Sequence, residues 1–436
     1  MTVRFEDAWD KYLEVLSAQK ESLLSDSGKI VVIRDLTGRI RLALEHRPEQ
    51  KKIESLLAEL HRVAGPFCVE QILDKDSLIA PESIFESKDA FEIKSGIGIW
   101  AIERLVTGAD WGRGPLNSAD QPPCATLYGL KGGVGRSTAL SVWAWHLAKR
   151  GRKVLVLDLD LESPGVSSLL LPADKLPDFG LVDWFVEDAV GNADADLIDQ
   201  MVATSPLDED TRGRILVAPC RGCVGQDYLT KLSRVYLDIP KPGGLVTFGE
   251  RLADILQQLT TRYKPDLVLL DSRAGLHDVA AISTTRLRAM TFMFGVGTRQ
   301  TWDGYRILLR SWAKYPEIAR DVRQRIRLVA SQIPETLRIE YVDRFRLSGY
   351  DLFSELLYEE DNPNDPDCNE SFNFDINDMD APHDPLKINW ARGFQDWDPT
   401  SKTMSDEELR AAFGDFLDRA TELLEANYSA ETVAGE

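Results

Sequence analysis

Short apolar runs alternate with amphipathic stretches through most of the chain after residue 123. The runs are ATLYGL, KVLVLDLDL, RILVAPC, DLVLLDS, MTFMFGVG and RIRLVASQ, and the stretches that separate them include residues 137–150, 247–263 and 299–314. Uninterrupted apolar strands are typical of parallel sheets that are covered on both faces, and strands that alternate with helices indicate crossover connections. We therefore predict an α/β fold with a doubly wound, mostly parallel sheet over residues 119–436.

The first 118 residues show a different pattern, typical of a small α+β domain. Apolar periodicity predicts a helix over residues 5–24, and the β-rich runs KIVVIRD and RIRLALE predict a hairpin whose turn contains Gly38. A second helix with one apolar face is predicted after Pro48. The stretch 108–123, GADWGRGPLNSADQPP, is rich in Gly, Pro, Asp and Ser and lacks periodicity, so we predict that it links the two domains.

Two further segments follow the strand-and-helix pattern. Between residues 351 and 384 the chain has 12 acidic residues and no lysine or arginine, a composition typical of a solvated insertion, and we place this loop at about residues 359–384. Apolar positions on one face predict a final helix at about residues 405–426 that docks on the domain. Residues 406–425 carry seven acidic and two basic side chains, and this net charge of −5 does not favour binding to an anionic membrane surface.

Composition and charge narrow the class of protein. Of 436 residues, 51 are Lys or Arg and 71 are Asp or Glu, so the net charge of −20 disfavours sequence-independent binding to nucleic acid. The first residues, TVRFEDAWDKYLE, lack an apolar signal core, and no run is apolar over the length that a membrane span needs. Five scattered cysteines do not indicate a disulfide framework. These observations predict a cytoplasmic protein.

The segment LYGLKGGVGRSTALSVWAWHLAKRG carries the most specific candidate chemistry. An apolar strand runs into a glycine-rich loop and then into a helix, so Gly132, Gly133 and Gly135 allow backbone N–H groups to turn inward around phosphate oxygens. The helix N-terminus adds its positive dipole at the same place. Ser137 follows the cationic Arg136, at the position from which a hydroxyl can bind Mg²⁺. The sequence thus predicts a phosphate-binding loop.

Three motifs together resemble those of the ParA/MinD group of P-loop ATPases. KGGVGRST at 131–138 resembles the deviant Walker A motif KGGxGK[ST][ST]. VLVLDLDLESPG at 154–165 resembles the second strand of the group with its D-x-D switch, and DLVLLDSRAGL at 266–276 is similar to the MinD-type DSPAG segment. The resemblance covers about residues 124–335. It implies a P-loop fold that binds ATP with Mg²⁺ and forms an ATP-dependent homodimer.

The resemblance also implies roles for individual residues. Lys131 would reach across the homodimer to the phosphates bound by the other subunit, and Asp160 would align the attacking water; we place both with Arg136 as candidate catalytic residues. The implied metal-binding residues, which act partly through water, are Ser137, Asp158 and Asp271. The implied nucleotide-binding residues are Gly132, Gly133, Val134, Gly135, Arg136, Ser137 and Thr138, with Thr138 at the α-phosphate.

The sequence departs from the group's pattern at three positions. Arg136 stands where most relatives have the P-loop lysine; arginine keeps the charge but replaces a compact ammonium with a planar fork, so we expect binding to persist with different phosphate contacts. The rate of hydrolysis is left open by this change. Leu130, directly before the motif, is the second departure because it is not a glycine, and Arg273, which replaces the usual proline, is the third. Arg273 is expected to face a phosphate, a subunit interface or a salt-bridge partner.

Cysteine and histidine spacing offers weaker candidates. Cys220 and Cys223 form a single CxxC, which can be a redox pair or half of a metal site. ATPases of this group that carry iron–sulfur clusters have such a pair after the Walker B strand, whereas here it precedes Asp271 by about 50 residues, so two unlinked cysteines are favoured. The five histidines show no zinc-binding spacing, and His277 is interpreted as a first-turn residue rather than a catalytic base.

These observations predict a Mg-ATP-dependent switch ATPase. ATP occupancy would hold a homodimer together, slow hydrolysis would reopen it, and the nucleotide state would control a protein partner bound through residues 1–118. A second hypothesis is a nucleotide-sensing regulatory subunit with little intrinsic hydrolysis, within a bacterial defence or stress-response system. A third, less favoured, is an iron–sulfur carrier that uses Cys220 and Cys223.

Overall fold

The protein is described by a computed structural model. It describes residues 3–434 except 24–26, 94–96, 117–120, 225–226, 242–243, 360–370, 396 and 398–404. The chain divides into two compact units, Met1–Ala109 and Asp110–Glu436.

The first unit is a five-stranded mixed sheet with two helices on one face. Its elements are α1 (Phe5–Leu23), β1 (Ile30–Arg34), β2 (Ile40–Leu44), α2 (Gln50–Ala64), β3 (Leu73–Asp74), α3 (Glu82–Phe85), β4 (Phe91–Glu92) and β5 (Ile99–Glu103). The strand order is β3-β2-β1-β5-β4, and β1 pairs antiparallel to β2 and parallel to β5. The predicted helix, hairpin and second helix are present, and Gly38 has the positive φ (83°) that the hairpin turn requires.

The second unit contains an eight-stranded sheet covered by helices on both faces. Its described residues form eight strands in this sheet and two in a separate hairpin. In chain order they are β6 (Cys124–Gly129), β7 (Lys153–Asp158), β8 (Ala203–Thr204), β9 (Arg214–Ala218), β10 (Ile239–Lys241), β11 (Gly244–Val246), β12 (Leu267–Asp271), β13 (Met290–Gly295), β14 (Ile326–Ile333) and β15 (Leu386–Asn389). The helices are α4 (Arg136–Lys149), α5 (Val166–Leu170), α6 (Leu181–Ala189), α7 (Ala195–Gln200), α8 (Tyr228–Val235), α9 (Phe248–Tyr263), α10 (Asp278–Ala281), α11 (Arg299–Trp312), α12 (Pro316–Arg323), α13 (Arg338–Leu356) and α14 (Asp406–Ala434).

The sheet of the second unit has the order β15-β14-β13-β6-β12-β7-β9-β8, and β10 pairs with β11 as a separate hairpin. All neighbouring strands of the large sheet run parallel except β8 and β9. Alternate side chains of each strand enter two cores: one lies against α4, α5 and α14, and the other against the helices of the opposite face, which include α6, α9, α11 and α13. The predicted doubly wound, mostly parallel sheet is therefore confirmed.

The strand order brings the three motifs to one edge of the sheet. Strand β12 lies between β6 and β7, and its last residue, Asp271, pairs in register with Asp158, the last residue of β7. The glycine-rich loop follows β6 at the same edge. Because ligands of open parallel sheets bind outside the carboxyl ends of the strands, this edge is where a nucleotide site is expected.

Two segments differ from the sequence prediction. The second unit begins at Asp110 rather than at residue 119, because Trp111 in the predicted linker is buried and packs against Tyr128 and Trp312 at ring-centroid distances of 5.8 Å. The predicted acidic loop lies partly outside the described residues, at 360–370.

The described part of that acidic segment, residues 371–384, is a loop but not a solvated excursion. His383 and Asp384 are buried, and the Tyr358 hydroxyl lies 2.5 Å from His383 Nδ1. Asp384 accepts charged contacts from Arg346 and Arg419 at 2.8 and 3.0 Å. Composition alone missed this packing because the arginines that neutralise Asp384 come from α13 and α14.

Candidate functional site

The glycine-rich loop between β6 and α4 forms an open cradle. Gly133 and Gly135 adopt positive φ angles of 77° and 84°, which side-chain-bearing residues rarely adopt. A Cβ atom placed on Gly132, Gly133 or Gly135 would meet no atom within 4 Å, so this side of the loop backbone is free to approach a ligand. Since α4 starts directly after Gly135, its N-terminal dipole points to the same place.

Ser137 and Asp271 lie next to each other at one end of this cradle. A Cβ atom on Gly165 would lie 3.0 Å from Ser137 Oγ and 3.7 Å from Asp271 Oδ2, so only a glycine leaves room between them and the loop after β7. Asp271 is 1 % exposed, and neither carboxylate oxygen makes a hydrogen bond of regular geometry among the described residues, although the Ser137 hydroxyl and the Val166 backbone N–H lie close enough to lower its pKa. A buried carboxylate with so few donors is costly unless a cation also binds it.

This donor set fits Mg²⁺. The ion prefers oxygen ligands, keeps several waters and is usually bound through one or two protein groups, which a serine hydroxyl and a carboxylate can supply. Burial raises the pKa of Asp271, and the charge of Arg136 acts in the opposite direction. A bound cation would favour the ionised carboxylate in the same way.

Asp158 is buried beside Asp271 but is already engaged. Its Oδ2 accepts hydrogen bonds from the Ser167 backbone N–H, at 3.0 Å, and from the Ser167 hydroxyl. Its Oδ1 accepts from the backbone N–H of Asp160 at 3.3 Å. Burial raises the pKa of Asp158, and the neighbouring Asp271 carboxylate raises it further. Asp158 therefore ties the loop after β7 to α5, whereas the Asp271 oxygens make no hydrogen bond of regular geometry among the described residues.

Asp160 lies in the loop after β7 and is partly exposed. Its Oδ1 accepts from the backbone N–H and the hydroxyl of Ser163, at 3.3 and 3.0 Å. The preceding residue, Leu159, donates its backbone N–H to the carbonyl of Asp271 at 3.0 Å, which holds the start of this loop against the end of β12. The carboxylate is thus held by its own loop, at the carboxyl edge of the sheet.

Arg136 does not extend freely into the cradle. The side chain is 7 % exposed, and its guanidinium donates a hydrogen bond to the carbonyl of Ser272, the residue after Asp271. A Cβ atom on Gly129 would lie 3.2 Å from Arg136 Cδ, so glycine at the end of β6 makes room for the arginine stem. The arginine that replaces the usual lysine therefore connects the P-loop helix to the end of β12.

The remaining predicted loop residues have distinct environments. Lys131 is partly exposed, whereas Val134 is buried in the core beneath the loop. Thr138 lines a cleft of about 430 Å³ on the side of the loop away from Asp271. The structure thus brings together the loop, Ser137 and Asp271, with Thr138 facing the cleft.

The far wall of the cleft consists of residues that sequence reasoning missed. It is built from β14, β15 and the segment after β15; lining side chains include Gln332, Asn389, Trp390, Phe394 and Gln395. Gln332 donates its side-chain amide to the carbonyl of Gly133 at 2.7 Å and has a positive φ of 53°. The pairing of β14 with β15 shifts register between Ala330 and Ile333, and this irregularity directs Gln332 to the loop.

The CxxC pair has a structural explanation. Cys220 is buried and Cys223 is exposed, and burial raises the pKa of the Cys220 thiol to about 12. Gly222 lies between them at a point where an added Cβ would come within 2.1 Å of the Asp178 carbonyl, so the segment crosses another stretch of backbone closely. Among the described residues, no group of three metal-binding side chains is assembled.

Arg273 forms an ion pair at the site edge, one of the three alternatives that the sequence left open. Its guanidinium lies 2.6 Å from Glu162, in the loop that also carries Asp160. His277 caps α10, where Nδ1 accepts from the backbone N–H of Val279 at 3.4 Å. His277 is therefore the N-cap residue of α10, one position before the first turn, in which the sequence predicted it.

Comparison with known proteins gives matches among solved structures only. No protein-family model and no curated protein matches the chain. A structure described as that of a plasmid partition protein from Borrelia burgdorferi bound to AMPPNP is 15 % identical, with a TM-score of 0.43, and covers 69 % of this chain and 99 % of that one. A structure of pNOB8 ParA bound to nonspecific DNA is 14 % identical, with a TM-score of 0.40, over 70 % and 98 %.

A third match is the septum site-determining protein MinD from Pyrococcus horikoshii, complexed with Mg-ADP. It is 19 % identical with a TM-score of 0.32, and the match covers 44 % of this chain and 66 % of that one. These matched chains are of the ParA/MinD group that the three motifs resemble. No helix in the described ranges is long and apolar enough to cross a membrane.

Proposed function

We propose that the second unit binds Mg-ATP and hydrolyses it slowly, as a switch that controls a protein partner. The observation that carries this proposal is the proximity of an open glycine cradle, the Ser137 hydroxyl and the buried carboxylate of Asp271, which has no hydrogen bond of regular geometry among the described residues. Backbone donors and a helix N-terminus suit the phosphates, and the two oxygen ligands suit the metal. The motifs of the sequence and the geometry at the sheet edge support the same chemistry.

The protein residues supply binding, charge and orientation. Backbone N–H groups of the loop from Gly132 to Gly135 would hold the phosphate oxygens, and Ser137 with Asp271 would hold Mg²⁺, which when bound neutralises charge on the phosphates. Asp160, at the exposed edge, would orient the attacking water. Asp158 would keep the Asp160 loop in place through its bond to the Asp160 N–H.

The cleft beside the loop is proposed to take the nucleoside part of the ligand. Its volume of about 430 Å³ lies within the range of small-molecule sites. It adjoins Thr138 at the start of α4, so a phosphate chain held by the loop would leave the nucleoside on this side. Trp390 and Phe394 provide aromatic surface, and the amides of Gln332 and Gln395 provide donors and acceptors.

Dimerisation and partner control belong to the same proposal. The partly exposed Lys131 supports a contact across a homodimer, the role that the motif resemblance implies. The first unit, with its own core, supports a separate partner-binding module within residues 1–118. A cytoplasmic location, without membrane or nucleic-acid partners, stays a prediction.

Phosphate release and light scattering on the same samples test this function. We expect Mg-ATP turnover in the wild type, its loss in Asp160→Ala with ATP-dependent dimers retained, and loss of those dimers in Lys131→Ala. Asp174→Ala and Lys175→Ala are matched controls, because both residues are exposed in a short turn away from the motifs. Dimers that persist in Lys131→Ala would remove the bridging role, and turnover that persists in Asp160→Ala would remove the proposed water-orienting role.

A nucleotide-sensing subunit with little hydrolysis is the second candidate. The observation that favours it is the hydrogen bond from the buried Arg136 to the Ser272 carbonyl. This bond engages the guanidinium whose positive charge would otherwise stabilise the transferring phosphate. In this case ATP binds without turnover, and Arg136→Lys gains activity because the ammonium reaches the phosphates with three rotatable donors. A wild-type rate well above the uncatalysed rate, unimproved in Arg136→Lys, would reject this candidate.

A further inference from the structure

Four polar side chains meet where the loop after β7 contacts the loop after β12. Glu162, two residues after Asp160, directs Oε1 to the Arg273 guanidinium at 2.6 Å and accepts the Tyr236 hydroxyl at 2.6 Å. His277 Nε2 lies 3.7 Å from the same oxygen and 3.5 Å from Arg273 Nη1. Glu162 and Arg273 side chains are 23 % and 34 % exposed, so the pair is partly shielded from solvent.

Helix α8 holds the same loop from the other side. The hydroxyl of Tyr228, at the first position of α8, donates to the carbonyl of Leu161 at 2.6 Å. Tyr236, directly after the helix, donates to Glu162. Burial raises the pKa of Tyr236, and the Glu162 carboxylate raises it further, so the phenol stays a donor. Residues 161 and 162 are thus fixed at three points, whereas the described hydrogen bonds of the Asp160 carboxylate come from Ser163 in its own loop.

We propose that Glu162 and Arg273 are positioning residues that set the place of Asp160 relative to Asp271. Arg273 stands in the loop of Asp271, and Glu162 stands in the loop of Asp160, so their ion pair joins the two loops beyond the backbone bond from Leu159 to Asp271. An aligned water is useful only if the residue that orients it is held close to the reacting phosphate. This inference rests on the proposed ATPase function for its catalytic consequence.

The chemistry of the pair favours positioning over direct catalysis. Arg273 Nη1 lies 2.6 Å from Glu162 Oε1, and Arg273 belongs to the loop after β12 rather than to the glycine-rich loop. A planar guanidinium fixes a carboxylate with direction as well as charge, which a lysine does less well. The variant Arg273→Lys should nonetheless restore part of the interaction between the two loops, because an ammonium at position 273 still attracts the Glu162 carboxylate.

A double-mutant cycle on turnover tests the pair. We expect Arg273→Gln and Glu162→Gln each to lower kcat by about tenfold while the dissociation constant for Mg-ATP stays within about twofold. The double variant is expected to be no worse than either single one, because both remove the same contact. Arg273→Lys should recover most of the rate. Additive losses in the double variant, or an affinity loss equal to the loss in kcat, would overturn the proposal.

A matched control separates positioning from stability. Arg306 forms an ion pair with Glu355 between α11 and α13, with side chains 33 % and 42 % exposed, and neither residue belongs to the candidate site. Arg306→Gln is expected to leave kcat unchanged. An equal loss of kcat in Arg306→Gln would show that any such pair supports activity through stability, and this would overturn the inference.

Hydrogen exchange tests the pair without any need for hydrolysis. Amides of residues 159–165 are expected to exchange at least about threefold faster in Arg273→Gln than in the wild type, and at the wild-type rate in Arg306→Gln. If the wild type shows no ATP turnover but this exchange difference is present, the proposed function fails while the tie between the loops stands. Unchanged exchange together with unchanged kcat would overturn the tie in a working ATPase.

Discussion

The two sides of the glycine-rich loop are built in different ways. On one side, Ser137 belongs to the loop motif itself. Asp271 ends β12, which pairs with β6, the strand directly before the loop, and with β7. On the other side, Gln332 comes from a position 199 residues along the chain from Gly133, and the rest of the wall follows β15. The proposed phosphate and metal site therefore depends on short local motifs, whereas the cleft depends on how distant segments pack.

The largest effect that tests this division is expected from Ser137→Ala. Loss of the hydroxyl would remove one of the two protein oxygens proposed to bind Mg²⁺, so Mg-dependent turnover should fall at least about 100-fold, a difference measured by phosphate release across a Mg²⁺ titration. Ser168→Ala is the matched control, because Ser168 is exposed and its hydroxyl donates to the Gly165 carbonyl at 2.8 Å. A Mg²⁺ dependence that is equal in both variants would contradict the metal assignment.

The side of the loop that carries Ser137 and Asp271 could be predicted because each of its motifs is a short, continuous stretch of sequence. An apolar strand, a glycine run and a hydroxyl residue define the cradle within about 15 residues, and the acidic ends of β7 and β12 are readable as the last residues of apolar runs. Even so, the sequence did not indicate that Arg136 would turn back to the Ser272 carbonyl. That contact depends on strand order, which places β12 beside β6.

The cleft side could not be predicted for equally specific reasons. Strand β15 has only four residues, and it follows an acidic segment whose composition suggested a solvated loop. Gln332 stands at a register shift, a feature that alternation of apolar residues does not reveal. Without these two elements, Trp390 and Phe394 had no assigned neighbours. The sequence therefore predicted a place for the phosphates but gave no position for the nucleoside.

Trp390→Ala is expected to give the next largest effect, and on affinity alone. If the nucleoside stacks on this side chain, the dissociation constant for ATP should rise about tenfold, while kcat at saturating ATP stays near the wild-type value. Equilibrium binding and steady-state turnover on one preparation separate the two terms. Trp390→Phe keeps an aromatic face and should lose less affinity; an equal loss in both would argue against stacking.

Gly133→Ala and Gly132→Ala sharpen the comparison at the loop itself. Both positions have open space for a methyl group, but only Gly133 has a positive φ (77°), so alanine is strained there by about 1 kcal/mol. The thermal midpoint of the unliganded protein should therefore fall by about 2–4 °C for Gly133→Ala and stay nearly unchanged for Gly132→Ala. Equal midpoints would contradict the loop conformation, independently of any ligand.

The smallest effect is expected at Gln332, where the two sides of the loop are joined. Gln332→Ala removes the bond to the Gly133 carbonyl but keeps a side chain at a φ of 53°, whereas Gln332→Gly removes both the bond and the strain. Glycine ordinarily costs stability relative to alanine, by about 0.5–1 kcal/mol in a strand. At this position the order should reverse, with the glycine variant at least as stable in thermal unfolding, because the backbone conformation is one that alanine disfavours.

Both variants should weaken ATP binding to the same extent, about twofold to threefold, since both lose the same amide donor. A glycine variant that is less stable than the alanine variant would show that Gln332 is not held in this conformation, and the cleft wall would then have no fixed connection to the phosphate loop.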